Sequence, residues 1–292
     1  MITRVTSMTM MHAASRNLQH AGGELARLQS QASTQKNITA PSDDPGATAD
    51  ALKVRADQKA NAQFTKNVQD ATGWLSVVDS SLSSATELLR KAKDLTLQGS
   101  NASMSPTAKE AIAVELESIK KALLDTANTK YLGRSVFAGN SDAPLAYGAD
   151  YAFTGGEGTV ERRISGQTTV RVDADGAAIF GEGATSVFAE LDAAVADLRS
   201  GAPMATHLTV LDAREKSILT NVAVTGARQS TIETAAGTLL DQKVELETQR
   251  SSIEDIDIAS IILELKMQET IYQASLAVTA RALQPTLMDF IR

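Results

Sequence analysis

Residues 253–291 read IEDIDIASIILELKMQETIYQASLAVTARALQPTLMDFI. Two apolar stripes run along this stretch. One is Ile258, Ile261, Leu265, Tyr272, Leu276, Ala280 and Leu283, spaced by threes and fours except where polar Gln268 interrupts it. The other is Leu263, Met267, Ile271, Ala274, Val278 and Ala282. On a helix of about 3.6 residues per turn, Leu263 and Leu265 stand about 200° apart, so the stripes lie on nearly opposite sides. A helix apolar on one face is satisfied by its own domain, whereas one apolar on two faces needs partners on both. The stretch is therefore either a buried core helix or an assembly element.

A partner for one stripe is found at the other end of the chain. Met11, Ala14, Leu18, Ala21, Leu25, Leu28 and Ala32 alternate steps of three and four, the spacing of a coiled-coil seam. Gly22 and Gly23 interrupt that helix, each at a cost of about 1 kcal/mol against Ala. Inward from the first helix, NITAPSDDPG (37–46) breaks the chain, because Pro41 and Pro45 push the residues before them out of the α region. Asp43 and Asp44 read there as turn and capping groups rather than a metal pair.

A helix expected from about Ala47 to Gly99 carries the seam Val68, Ala71, Leu75, Val78, Leu82, Ala85, Leu89, Ala92, with Trp74 beside it as a packing anchor. Ser105-Pro106 opens the next helix as cap and first residue, with the face Ile112, Leu116, Ile119, Leu123, Ala127. From Tyr131 to about Gly183 the pattern changes. YAFT, TVERRI, TTVRV and AAIF, separated by glycines, predict a small antiparallel β region, with Asp173–Gly176 as a hairpin turn. A short helix over 186–199 follows. Then Leu211, Ile218, Thr225, Ile232, Leu239, Leu246 and Ile253 recur every seven residues, the register of a long bundle helix.

The nesting of these elements predicts a mainly α fold with a small β insertion. It would be an elongated rod of coiled-coil-like helices, with its terminal helices paired and the β region at the distal tip. The expected domains are 1–40 with 254–292 for assembly, 41–140 with 185–253 as a helical stem, and 141–184 as the β-rich part.

Composition narrows the function. The 292 residues carry a net charge of −7 and no basic block, which argues against nucleic acid as a partner. There is no cysteine, so disulfides, thiolate chemistry and Cys-built zinc sites are excluded. No apolar run approaches the ~18 residues of a membrane span, so no membrane insertion is expected, and the N-terminus lacks the apolar core of a cleaved secretory signal. His12, His20 and His207 are scattered, and no nucleophile elbow, phosphate loop or dinucleotide fingerprint is present. The expectation is a structural protein with no enzymatic activity, catalytic residues, metal or cofactor.

Four stretches carry a resemblance to the flagellin family: Ala40-Pro41-Ser42-Asp43-Asp44-Pro45, Asn67–Leu97, YLGRSVFAGN at 131–140, and 251–291 with its LQPTLMDF. The resemblance covers about 1–140 and 205–292. It departs from relatives at Thr34-Gln35-Lys36, where SGK or SGL is usual. The PSDDP turn (Pro41, Ser42, Asp43, Asp44, Pro45) and the C-terminal ending resemble the junction branch of the family more than filament flagellins.

The resemblance implies a secreted, extracellular subunit at the hook–filament junction of the bacterial flagellum, exported by the type III apparatus without cleavage. Its implied partners are other copies of itself in a ring or collar, hook-associated protein 1, flagellin, and an export chaperone on the C-terminal helix. The faces expected to carry assembly and chaperone contacts are Met11, Leu18, Leu25 and Leu28 at one end. At the other they are Ile258, Ile261, Leu265, Ile271, Leu276, Leu283, Leu287 and Phe290. The terminal helices are expected to order only when these faces find partners. A filament flagellin is the alternative within the family, and a soluble signalling coiled coil is the alternative outside it.

Overall fold

The first five residues of the seven-residue register, Leu211, Ile218, Thr225, Ile232 and Leu239, are all buried, and the last two, Leu246 and Ile253, are half-buried. In the computed structural model, which describes residues 2–156 and 158–283, they lie along one helix. The helices in chain order are α1 (Ile2–Thr34), α2 (Pro45–Gly99), α3 (Pro106–Ala127), α4 (Gly176–Phe180), α5 (Val187–Ser200), α6 (Ala205–Glu254) and α7 (Ile258–Leu283). The strands are β1 (Lys130–Tyr131), β2 (Arg134–Ser135), β3 (Glu161–Arg163) and β4 (Thr169–Arg171). Two compact units result, one of the chain ends up to Lys59 and from Lys243, the other of Ala60–Gln242.

In the central unit, all eight seam residues of α2 from Val68 to Ala92 are buried, as is the expected face of α3. Each large aliphatic side chain so buried contributes about 1.5–3 kcal/mol relative to exposure. The α2–α6 pairing is pinned by polar contacts at both ends of this unit. Asn61 donates its side-chain amide to the Leu239 carbonyl at 3.0 Å. Glu215 of α6 receives Arg90 at 2.9 Å and Lys93 at 2.6 Å. On the other side of α2, Lys91 meets Glu115 of α3 at 2.6 Å. Helix α5 packs on α3, where Arg199 bridges Glu110 and Glu117 and Lys120 holds Asp192. The α3 start is as expected, with the Ser105 hydroxyl accepting from Ala108 N–H ahead of Pro106.

The region between α3 and α5 holds two short antiparallel hairpins, β1–β2 and β3–β4, the latter pairing Arg162 with Val170. Two expectations for this region are corrected. AAIF is not a strand but most of α4, and Asp175 is not a hairpin-turn residue but its N-cap, accepting from Ala178 N–H. The neighbouring Asp173 is buried and accepts from Val160 N–H and from the Arg171 guanidinium. A short run of Ala and Ile reads as strand by alternation, and the capping aspartate decides otherwise.

With few long elements to bury, this region is built on rings. Seven of the eleven aromatic residues fall between 131 and 188. Tyr147 packs edge-on to Phe188 at 5.1 Å, and Phe137 packs edge-on to Phe180 at 5.3 Å. Tyr147 also donates its hydroxyl to the Gly181 carbonyl. Gly139 turns with φ +60°, and a Cβ there would stand 2.6 Å from the Gly158 carbonyl oxygen, so the F-A-G glycine has no replacement with a side chain.

Candidate assembly interface

The second unit joins α1 to α7 in antiparallel order. Lys36 bridges Asp255 near one end, and Gln268 of α7 donates to the Ala21 carbonyl of α1 further along. The turn between α6 and α7 is built from acids. Asn37 N–H donates to the Glu254 carbonyl at 2.7 Å, and Asp257 accepts from Ala259 N–H to cap α7. The seven-residue register of α6 reaches Ile253 without a stop signal of its own, yet the helix breaks over 255–257 before α7. Its signal was the Asp-Ile-Asp run, which offers caps that compete with continued helix.

On α1 the seam is as spaced in the sequence. Ala21 and Leu28 are buried, and Ala14, Leu18, Leu25 and Ala32 are half-buried, while Met11 is exposed. On α7 the seam is Ile261, Leu265, Gln268, Tyr272, Ser275 and Thr279. The second half differs from the expected stripe: Leu276 is exposed, and Ser275 takes the seam position. An unbroken three-four alternation from Ile261 runs through Gln268 to Ser275, so the helix keeps its heptad geometry even where that places polar groups inside. Gly22 meets this face closely, since a Cβ there would touch the Tyr272 ring at 3.4 Å.

The apolar residues left over form two open stripes. Ile258, Ile262 and Leu276 lie about 80° to one side of the seam, and Leu263, Met267, Ile271 and Val278 about 120° to the other. All seven are between 43% and 71% exposed. That is a large apolar area in 26 residues of helix, and exposed stripes of this size mark contact surfaces. Leu283 is the last residue of α7, and Leu287 and Phe290 lie outside the described residues.

The PSDDP turn belongs to the same unit and joins α1 to α2. Asp43 accepts from Ala40 N–H at 2.8 Å, from the Thr39 hydroxyl at 2.8 Å and from Thr39 N–H at 3.1 Å. Those donors, led by the Ala40 amide, hold its carboxyl below the ordinary carboxylate range. Asp44 caps α2 by accepting from Ala47 N–H, with Pro45 as the first helical residue. Ser42 and Pro41 are exposed in the turn. Gln35, the residue after α1, has φ +56°. Glu254, buried at the end of α6, pairs with Arg55 of α2 and lies 3.7 Å from Lys36.

Among the described residues no cluster of three or more His, Asp or Glu side chains is arranged to hold a metal ion, and no helix is long and apolar enough to cross a membrane. His207 sits between Glu190 and Asp197 at 2.7 and 2.9 Å, a fully occupied imidazole inside the central unit.

The chain matches the bacterial flagellin N-terminal helical region over residues 5–142 and the bacterial flagellin C-terminal helical region over residues 208–291. It is 27% identical to flagellar hook-associated protein 3 of Salmonella typhimurium, across 93% of this chain and 94% of that one. The Escherichia coli protein of the same name is 25% identical over the same shares. In fold it is similar to a flagellar hook-associated protein of Vibrio parahaemolyticus, with TM-score 0.68 at 21% identity, covering 73% of this chain and 100% of the other. It is also similar to Bacillus cereus FlgL, with TM-score 0.61 at 23% identity, covering 68% and 99%. The chain belongs to the flagellin family of structural flagellar proteins.

Proposed function

We infer that the chain is a structural subunit of the hook–filament junction of the extracellular bacterial flagellum, assembling through its terminal helices. The observation that carries the mechanism is the pair of open apolar stripes on α7 beside a seam already filled by α1. The near full-length similarity to hook-associated protein 3 supports the place in the flagellum, because the alignments span more than nine-tenths of both chains.

In this reading the α1–α7 pair is the assembly domain. One stripe meets further copies in a ring or collar. The neighbours along the axis are hook-associated protein 1 on the hook side and flagellin on the filament side. Before export through the type III apparatus, a chaperone covers the same stripes, since an exposed apolar helix would otherwise aggregate. The terminal helices order as these partners are met, and the central unit, with its own buried core, folds without them.

The test is an aspartate at Met267 or Ile271. Both residues are exposed, so the chain still folds, but an unpaired charge enters a contact that is buried only on assembly. The expected result is a secreted variant with wild-type thermal unfolding of the central unit and no incorporation at the junction. Normal incorporation of both variants overturns the reading of this face. Seeded polymerisation of the purified chain separates junction from filament: a short collar agrees with the junction, and long homopolymers observed by electron microscopy assign it to the filament.

A further inference from the structure

The most exposed large apolar side chain among the described residues is neither on α1 nor on α7. It is Leu132, 80% exposed at the turn between β1 and β2. Leu132 and Gly133 form the two-residue turn, with φ of +48° and +84°. Such a turn needs both residues in the left-handed region and favours Asn-Gly. Leucine is a poor choice there, with a Cβ that crowds its own backbone. A residue that is both strained and fully displayed invites a functional explanation.

The hairpin that displays it is rigidly mounted. Tyr131 packs on buried Trp74 at 5.5 Å. A Cβ on Gly73 would collide with the Tyr131 hydroxyl, so α2 and the hairpin are in close contact. The surroundings are cationic. The Arg134 and Arg162 guanidiniums lie 5.9 and 5.7 Å from the Trp74 ring. Arg162 is paired with Asp70. Arg134 donates to the Asn140 amide oxygen, and neither it nor exposed Lys130 has a carboxylate partner among the described residues.

We propose that this hairpin is a docking anchor that seats on the outer face of α2 in a second copy of the chain, Leu132 entering the contact and Lys130 and Arg134 pairing with carboxylates. The proposal rests on the assembly reading above. Charge complementarity selects the occupant. The chain is −7 overall while this patch is net positive, so the rest of a second copy is acidic. Glu87 and Asp94, seven residues apart, share one face of α2, are exposed, and have no ion-pair partner among the described residues. Leu97, one turn on, is 59% exposed and gives Leu132 an apolar counterpart. An apolar anchor on a rigid turn with a charged rim is the usual layout of an energetic centre in an interface.

The absence of cysteine makes the test direct. The doubly substituted chain Leu132→Cys with Asp94→Cys, oxidised in assembled flagella, is expected to give a ladder of disulfide-linked oligomers. Leu132→Cys with Lys121→Cys, on an exposed site of α3, is expected to give none. Leu132→Asn is expected to raise the thermal midpoint by relieving the turn, yet to lower incorporation about tenfold or more. No ladder in junctions that incorporate the chain normally overturns the proposal, as does cross-linking of residue 132 only to another flagellar protein. Absence of the wild-type chain from the junction overturns the functional reading itself, which is a different result from a missing ladder.

Discussion

Glu254 and Arg55 meet at 2.7 Å where α6 ends, the carboxylate nearly buried and the guanidinium about half exposed. The Arg55 contact, with smaller contributions from Lys36 and Arg250, holds the Glu254 carboxyl below its ordinary value despite burial. Glu254→Gln keeps the shape and removes the charge. The expected loss is about 1–2 kcal/mol at pH 7, in line with a partly screened pair. The sign with pH follows from the depressed value. The contribution of Glu254 is complete above the unfolded-state pKa and fades as pH falls through the lower folded-state one. Urea unfolding followed by circular dichroism at pH 7 and pH 3.5 checks this: the gap between wild type and variant should narrow in acid. A gap that is constant with pH would show the effect to be packing alone.

Gln35 holds a left-handed conformation, φ +56°, that glycine adopts without strain. Gln35→Gly is therefore expected to stabilise the end of α1 by about 0.5–1 kcal/mol, the relief outweighing the added freedom of the unfolded chain. A shift of that size changes the local folded-to-unfolded ratio about two- to fivefold. In assembled flagella, where α1 is ordered, tryptic cleavage after Arg27, on the same helix, should slow by that factor. Faster cleavage would mean that the Gln35 side chain contributes more than its backbone costs.

What could be read from residues alone follows from how each element is stabilised. The α2 seam and the α3 face are buried as spaced, because a long helix repeats its signal many times and one error does not shift the register. Thr225 is the one polar residue in the α6 series from Leu211 to Leu239, and the period correctly placed it inside. The polar half of the α7 seam was missed for the opposite reason. Ser275 and Thr279 carry no hydrophobic signal, while Leu276 carries a strong one and faces outward. Where an exposed apolar stripe adjoins a seam, hydrophobicity marks both and cannot say which is which. The α4 misreading and the α6–α7 break share another cause. Both turn on single aspartates, Asp175 and Asp257, whose capping bonds outweigh a short apolar pattern.

His207 is clamped between Glu190 and Asp197. Burial works against the imidazolium, but the two carboxylates outweigh it, so its pKa is raised above the ordinary value of a histidine. A raised folded-state pKa gives stability that is complete below the unfolded value of about 6.5 and is lost as pH rises through the folded one. The central unit should therefore melt at a lower temperature at pH 9 than at pH 6, and His207→Gln should remove most of that difference. Calorimetry at the two pH values reads it directly. An equal pH dependence in the variant would assign the effect to other groups.

Gly23 offers a way to ask when α1 orders. Nothing lies within 4 Å of the position a Cβ would take there, whereas the same atom on Gly22 would meet Tyr272 at 3.4 Å. Gly23→Ala should thus add about 1 kcal/mol of helix stability with no packing penalty, and Gly22→Ala should add less because its methyl must fit against the ring. The consequence depends on the state of the free chain. If α1 and α7 order only on assembly, the added stability converts disordered chain to helix, and the far-ultraviolet dichroism of the monomer deepens. If they are already paired in the monomer, the dichroism at low temperature is unchanged and only the melting of the terminal unit moves upward. An unchanged spectrum accompanied by a higher melting temperature would therefore overturn coupled folding while leaving the α1–α7 seam intact. A deeper spectrum, with faster incorporation at the junction, is the result expected of helices whose open faces wait for a partner.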